Sequence, residues 1–554
     1  MIESLEQRLL LSANVLGYHN DQFSTGANLQ ETALTPANVN INGFGKLYST
    51  PVDGQVYAQP LYVSGLNVTA GSQPGTHNVV FVATERDSLY AMDAQTGAVL
   101  WQDSFLVPED ALTSGGNSVT VTTVPYTDVN TTDLQPEIGI TSTPAIDLSS
   151  GYLYLTAKTK QIVNTDTADP HYVYTLYRVS IASGSFSGTV IADTTYNKSS
   201  NAYTYNSAPF VYDNLDPNHK GAGVVSQNGQ YVINFNALRQ LNRAAVTLYN
   251  GNVYLAFASH GDNTPYHGWI LGYDESSLAP TAVFNANPDG NDDGIWQAGG
   301  RIAIDSQGFM YVETGNGAFD TTLNVQGFPQ YGDYGDSFIK LALDRSTSSA
   351  NQNVNGWGLQ VADYFTPQNQ ASLSSSDEDL GSGGPLILPE TAGSVTIGSA
   401  AHPDLLVGAG KQGMIYLIDR NNMGHFSATT DNVVQEKSGA LPAAGSYDTP
   451  AFYYDGSAAR FYYVAASSSG RSFSISNAAF ALSSISADPY GSRDATTSIS
   501  ANGDTNGIAW NIDPGTGQLR AYDASNYANE LWTSAQAPNA RDTLGTALKF
   551  TTPT

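Results

Sequence analysis

Residues Asn78–Gln102, NVVFVATERDSLYAMDAQTGAVLWQ, restrict the possible folds more than any other stretch of the chain. Val79–Ala83 is an apolar run. Leu89, Ala91 and Asp93 alternate with Tyr90 and Met92, and Val99–Trp101 follows the turn signal Thr96–Gly97. The pattern predicts three short strands joined by two tight turns. Asp93 and Thr96 are suited to hydrogen-bond the backbone of the second turn, and Gly97 to supply its positive φ. A meander this small cannot bury both faces alone, so it requires copies to stack against.

Further units follow. A second begins at Thr143-Pro144-Ala145-Ile146-Asp147 and continues through GYLYLTAKTK and YTLYRVSIASG. A third holds AAVTLYNGNVYLAFASH and GWILGYD, a fourth GRIAIDSQGFMYVETGNG and DSFIKLALD, and a fifth GGPLILP and DLLVGAGKQGMIYLIDR. A sixth starts at Thr449-Pro450-Ala451-Phe452, and a seventh contains GIAWNIDP and GQLRAYDASNYANELW. Long insertions are expected at 104–136 and about 193–240. The lone segments 46–52 (KLYSTP and Val52) and 546–554 (ending LKFTTPT) read as the two parts of a split eighth unit.

The composition agrees with strands and turns: 53 Gly and 33 Tyr in 554 residues, with no sustained helical period. A formal charge of −28 argues against nucleic-acid partners and anionic membrane surfaces. The absence of Cys excludes disulfides, thiolate zinc sites, c-type haem attachment and a cysteine nucleophile. No apolar run approaches the ~18 residues of a transmembrane helix. No G-x-S-x-G, H-E-x-x-H or P-loop pattern occurs.

The repeat F-V-A-T followed by S-L-Y-A-M-D-A-Q-T-G-A-V-L-W resembles that of the pyrroloquinoline-quinone (PQQ) propellers, which include quinoprotein alcohol dehydrogenases and non-catalytic assembly propellers. The resemblance implies an all-β propeller of four-stranded antiparallel blades, with eight blades, or alternatively seven. Its array spans 46–554 with the last blade incomplete, and 18–45 is expected as a polar loop. The start, MIESLEQRLLLSA, has an apolar core too short for an ordinary signal peptide. It is similar to the LEPR-XLL motif of planctomycete-type exported proteins, with Gln7 where Pro is usual. Residues 1–17 are therefore expected to direct export to the periplasm, cell surface or exterior.

Across 250–420 the likeness reaches single residues. GNVYLAFASHGDNTPYHGWILGYD resembles the quinoprotein stretch that carries a calcium-binding Glu and an Arg. Those positions fall on Asn263, with Asp262 adjacent, and on His267. Trp296 in GIWQAGG matches the tryptophan under the quinone, and Asn316 in TGNGAFD the calcium-binding Asn. Asp336 in GDYGDS matches the catalytic base at the metal, and Lys411 in GKQG the cation on the quinone oxygens. The resemblance thus implies PQQ and Ca²⁺ as cofactors, a small hydroxyl-bearing substrate and an external electron acceptor. The calcium-binding Glu, the family's vicinal cysteines and a haem motif are missing. The competing expectation is a non-catalytic scaffold with a surface protein partner, in which Trp296, His260 and His267 are packing residues. Asp377–Asp379 then form a solvated loop, or else a cation site.

Overall fold

The computed structural model describes residues 14–213, 220–227, 229–442, 445–491 and 495–554. Most of the expected export segment lies outside the described residues. The founding repeat folds as read. Val79–Thr84 pairs antiparallel with Ser88–Asp93, Phe81 opposite Ala91, and Ser88–Asp93 pairs with Val99–Ser104. At the second turn Asp93 Oδ1 accepts the N–H groups of Gln95 and Thr96 at 3.0 and 2.8 Å, and Gly97 has φ 73°. Leu61–Val68 completes the first sheet as its innermost strand.

Six further four-stranded meanders follow among the described residues. Their innermost strands are Ala145–Asp147, Thr247–Tyr249, Ala303–Ile304, Leu386–Ile387, Ala451–Tyr454 and Ser498–Asn502. Core residues lie between successive sheets. Phe81 and Leu89 of the first, for example, pack with Leu153 and Leu155 of the second. Each large apolar side chain so covered contributes about 1.5–3 kcal/mol, which is why no meander stands alone. The fold is a β-propeller.

Two departures from expectation concern the chain ends. Residues 18–45 do not form a solvated loop throughout, for Tyr18, His19 and Ser24 are buried. From Val15 to Gly26 the chain runs as a belt along the inner strands. The N–H groups of Tyr62, Ile146, Ile304, Ile387, Phe452 and Ile499 donate in turn to the carbonyls of Val15, Leu16, Gln22, Phe23, Thr25 and Gly26, at 2.7–3.0 Å. Six innermost strands thereby satisfy an edge donor that would otherwise face the channel. The third sheet is the exception, with Val246 N–H donating to Thr143.

The strands expected at 46–52 and 546–554 are absent, so no eighth sheet forms from them. Both segments instead fill the gap between the seventh sheet and the first as irregular chain. Phe44 packs on Trp510 and Trp532, and the Lys46 N–H donates to Asp542. The last residues turn inward. Pro553 O accepts from Ser498 Oγ at 2.7 Å and Gln59 Nε2 at 3.2 Å, and Thr554 Oγ1 donates to Pro60 O at 2.6 Å. Pairing partners decide the difference: Tyr48 and Thr50 bond through their side chains to Ala94 O and Gly97 O in a turn of the first sheet, and the tail bonds to side chains and a loop carbonyl.

Candidate functional site

A cavity of about 350 Å³ opens where loops from around the ring converge on its axis. Trp296, Arg243, Asp262, Asp377, Asp379 and Lys411 contribute to its lining, with Tyr447 and Phe550. Its size is in the range of small-molecule sites, about 300–1,000 Å³.

Trp296 stands at the start of a strained turn. Gln297, Ala298 and Gly299 have φ of 48°, 50° and 94° in succession. The first two are not glycine, and each such residue costs on the order of 1–3 kcal/mol. The Gln297 side chain holds the turn in place. Its amide donates to Gly300 O and Arg301 O at 3.2 and 3.0 Å, while its oxygen accepts the Glu313 N–H at 3.0 Å. Two glycines make room for the six-membered ring of the indole. A Cβ on Gly294 or Gly315 would lie 2.6 Å from ring atoms of Trp296. Its Nε1–H donates to Ser259 O at 3.3 Å. Beneath the turn, Arg243 donates to Ala298 O at 3.1 Å and to Phe550 O at 3.2 Å. Its guanidinium carbon lies 5.4 Å from the Phe550 ring centroid, and that ring stacks on Tyr447.

The second wall is a charge cluster. Lys411 Nζ lies 2.8 Å from Asp377 Oδ1 and 2.5 Å from Asp379 Oδ2. Asn316 joins the two acids, its backbone N–H donating to Asp379 Oδ1 at 2.7 Å and its side-chain amide to Asp377 Oδ1 at 2.9 Å. Asn316 Oδ1 is buried with no hydrogen-bond partner. Burial works to lower the pKa of Lys411, but the Asp379 and Asp377 charges outweigh it and hold the ammonium above its usual range. Lys411 is therefore charged at any physiological pH.

The structure brings together Trp296, Lys411, Asn316 and Asp262 of the sequence-predicted residues and leaves three outside. His267 is buried, with Nδ1 2.9 Å from Asn287 Oδ1 and Nε2 2.8 Å from Ala222 O. Its ring is occupied in joining two loops, and Arg243 supplies a cation at the cavity in addition to Lys411. Asn263 turns its amide onto backbone carbonyls, His260 O at 2.8 Å among them. Asp336 is buried behind the cavity wall, accepting Leu380 N–H at 3.1 Å and the Gln370 amide at 3.3 Å. Burial pushes its pKa up to about 8. Of the carboxylates that line the cavity, Asp379 is the one buried beside Lys411. Asp262 lines the rim, accepting Tyr266 O–H at 2.9 Å, and burial raises its pKa. Asp379 belongs to the acidic stretch Asp377–Asp379, whereas Arg243, Tyr447 and Phe550 carry no signal in local sequence.

No protein-family model matches the chain, and no curated protein matches it. Among solved structures, a europium-containing methanol dehydrogenase matches over 97% of this chain and 86% of its own, at 11% identity and a TM-score of 0.52. The two share the propeller fold. The quinohemoprotein alcohol dehydrogenase of Comamonas testosteroni covers 94% of this chain and 73% of its own at 13% identity, with a TM-score of 0.49. At these identities the likeness extends to architecture alone.

Proposed function

We propose that the cavity binds a flat, carboxylate-bearing quinone of the PQQ class, and that the chain is a quinoprotein-like propeller oxidising a hydroxyl-bearing small molecule outside the cytoplasm. The observation that carries this reading is the Trp296 indole, held in the cavity wall by a strained turn and two glycines, with Arg243 and Lys411 in the same lining. Such a ring offers an apolar face for stacking, and the cations complement ligand carboxylates or quinone oxygens. The fold shared with a methanol dehydrogenase supports the choice of ligand class.

The organic group fits the cavity in volume and lining; the calcium implied by the family likeness does not. Asn263 Oδ1 accepts the Asn130 amide at 3.3 Å, Asp336 is buried behind the wall, and the Lys411 ammonium already pairs with both Asp377 and Asp379. Among the described residues no three His, Asp or Glu side chains form a metal-binding group.

A bound quinone would accept the two electrons and the hydrogen released when CH–OH becomes C=O. The protein's part is positioning and proton transfer. Trp296 and Phe550 orient flat ligands, Arg243 and Lys411 hold negative oxygens, and Asp379, the buried one of the acids in the lining, receives the substrate hydroxyl proton. The test is reconstitution with PQQ followed by dye-linked oxidation of alcohols and sugars. Asp379→Asn is expected to lose at least about 100-fold in turnover while retaining PQQ. No turnover in a PQQ-loaded protein would overturn the catalytic reading.

One observation favours the scaffold alternative. Lys411 and Lys549 are each ion-paired with carboxylates of the chain itself, Lys549 with Asp133 at 2.9 Å. Cations matched in this way attract a polyanion less strongly, as a cavity for a neutral surface ligand would require.

A further inference from the structure

The cluster of Lys411, Asp377, Asp379 and Asn316 has the oxygen donors of a hard-cation site, with an ammonium where the cation would be. Asp377 Oδ1 and Asp379 Oδ2 converge on Lys411 Nζ at 2.8 and 2.5 Å, so one point receives two carboxylates. The third oxygen of the cluster, Asn316 Oδ1, is buried and unpartnered, while the same side chain's amide is bound to Asp377. The other oxygen of Asp379 is taken by the Asn316 N–H. A divalent cation here would have to expel the ammonium or tolerate a like charge within bonding distance, and both oppose binding.

We infer that Lys411 stands in the place of a divalent cation, and that ligands bind in this cavity without metal. The ammonium supplies the positive charge next to the Trp296 ring and holds the exposed Asp377 and the buried Asp379 in one orientation. Lys411 is thus a built-in counter-ion. Asn316 Oδ1 makes no hydrogen bond to the ammonium, so the positive charge is met by the two carboxylates. The inference rests on reading the cavity as a ligand site, yet its central claim concerns the cluster alone and can be measured with no organic ligand.

The experiment is a Tb³⁺ titration of the full chain at physiological ionic strength, reading luminescence sensitised by Trp296, with Ca²⁺ as competitor and Trp296→Phe to identify the signal. The wild type is expected to give no saturable, Trp296-dependent signal. Lys411→Ala is expected to bind Tb³⁺ at least about tenfold more tightly than the wild type, because the acid pair is then free of the ammonium and open to a hard cation. That gain should be lost again in Lys411→Ala/Asp379→Asn, and Lys411→Arg should behave as the wild type. Saturable wild-type binding that Asp379→Asn abolishes would overturn the inference, as would a folded Lys411→Ala with no gain. Should the alanine variant not fold, Lys411→Gln, of similar length and uncharged, takes its place with the same expectation. Failure of PQQ to bind would leave all these results unchanged, so the two readings fail separately.

Discussion

Asp379 bonds two partners through its two oxygens: Lys411 Nζ lies 2.5 Å from Oδ2, and the Asn316 backbone N–H donates to Oδ1 at 2.7 Å. The acid therefore ties the loop after the fourth sheet's second strand to the turn after the fifth sheet's second strand. Asp379 is buried at 8% exposure, so the pair is shielded from solvent far more than a surface ion pair. Removing one partner leaves an uncompensated charge. Lys411→Met is expected to destabilise the protein by about 3 kcal/mol, and the double variant Lys411→Met/Asp379→Asn by clearly less. Denaturant unfolding of the single and double variants checks this.

Gly315 is required by Trp296. A methyl group at Gly315 would come within 2.6 Å of both the indole and Asp379 Oδ1. Gly315→Ala is expected to cost about 1–3 kcal/mol and to displace the ring from the cavity wall. A shift in the Trp emission maximum together with lowered Tm would show both effects.

Stability should fall as pH rises through neutrality. Burial raises the Asp336 carboxyl from 3.8 to about 8, and burial likewise raises Glu85 from 4.5 to about 7. Between the unfolded value and the folded one, about pH 4 to 8 for Asp336 and about 4.5 to 7 for Glu85, the folded chain keeps a proton that the unfolded chain has released, so each group lowers stability with increasing pH by up to about 1.4 kcal/mol per unit. Its contribution is most favourable below the unfolded value and is lost by the folded one. Asp336→Asn is expected to flatten this slope in chemical denaturation measured from pH 5 to 8. An unchanged slope would show that Asp336 does not carry the proton.

The belt and the tail hold the inner strands, and hydrogen exchange should reveal it. The amides of Tyr62, Ile146, Ile304, Ile387, Phe452 and Ile499 each donate to the belt and should be slow as a group. Removing 546–554 deletes the bonds of Pro553 to Ser498 and Gln59 and of Thr554 to Pro60, each worth about 1 kcal/mol. Faster exchange is expected at Ser498–Asn502 and Leu61–Val68, with the fourth sheet unaffected.

The repeating units were legible because a meander's signals are local: alternation in Ser88–Asp93 and a hydrogen-bonded Asp before each turn. The belt was not legible, since Gln22, Phe23 and Thr25 have no periodicity and their partners are hundreds of residues away. The same holds for the tail, whose extended pattern reads as a strand until its neighbours are known. At the site, Trp296, Lys411 and Asn316 came from order and residue type along the chain. Asp336 was misplaced by one layer. Its turn lies beside the cavity, but its side chain folds behind the wall formed by Asp379, a distinction set by loop packing.

The most direct measurement is a titration of the purified chain with PQQ in EDTA, following Trp fluorescence, with Trp296→Ala in parallel. Saturable quenching that EDTA leaves intact, and that weakens at least about tenfold in the variant, is the expected result. Absence of quenching at tens of micromolar PQQ, or equal quenching in Trp296→Ala, would contradict a quinone site at this cavity.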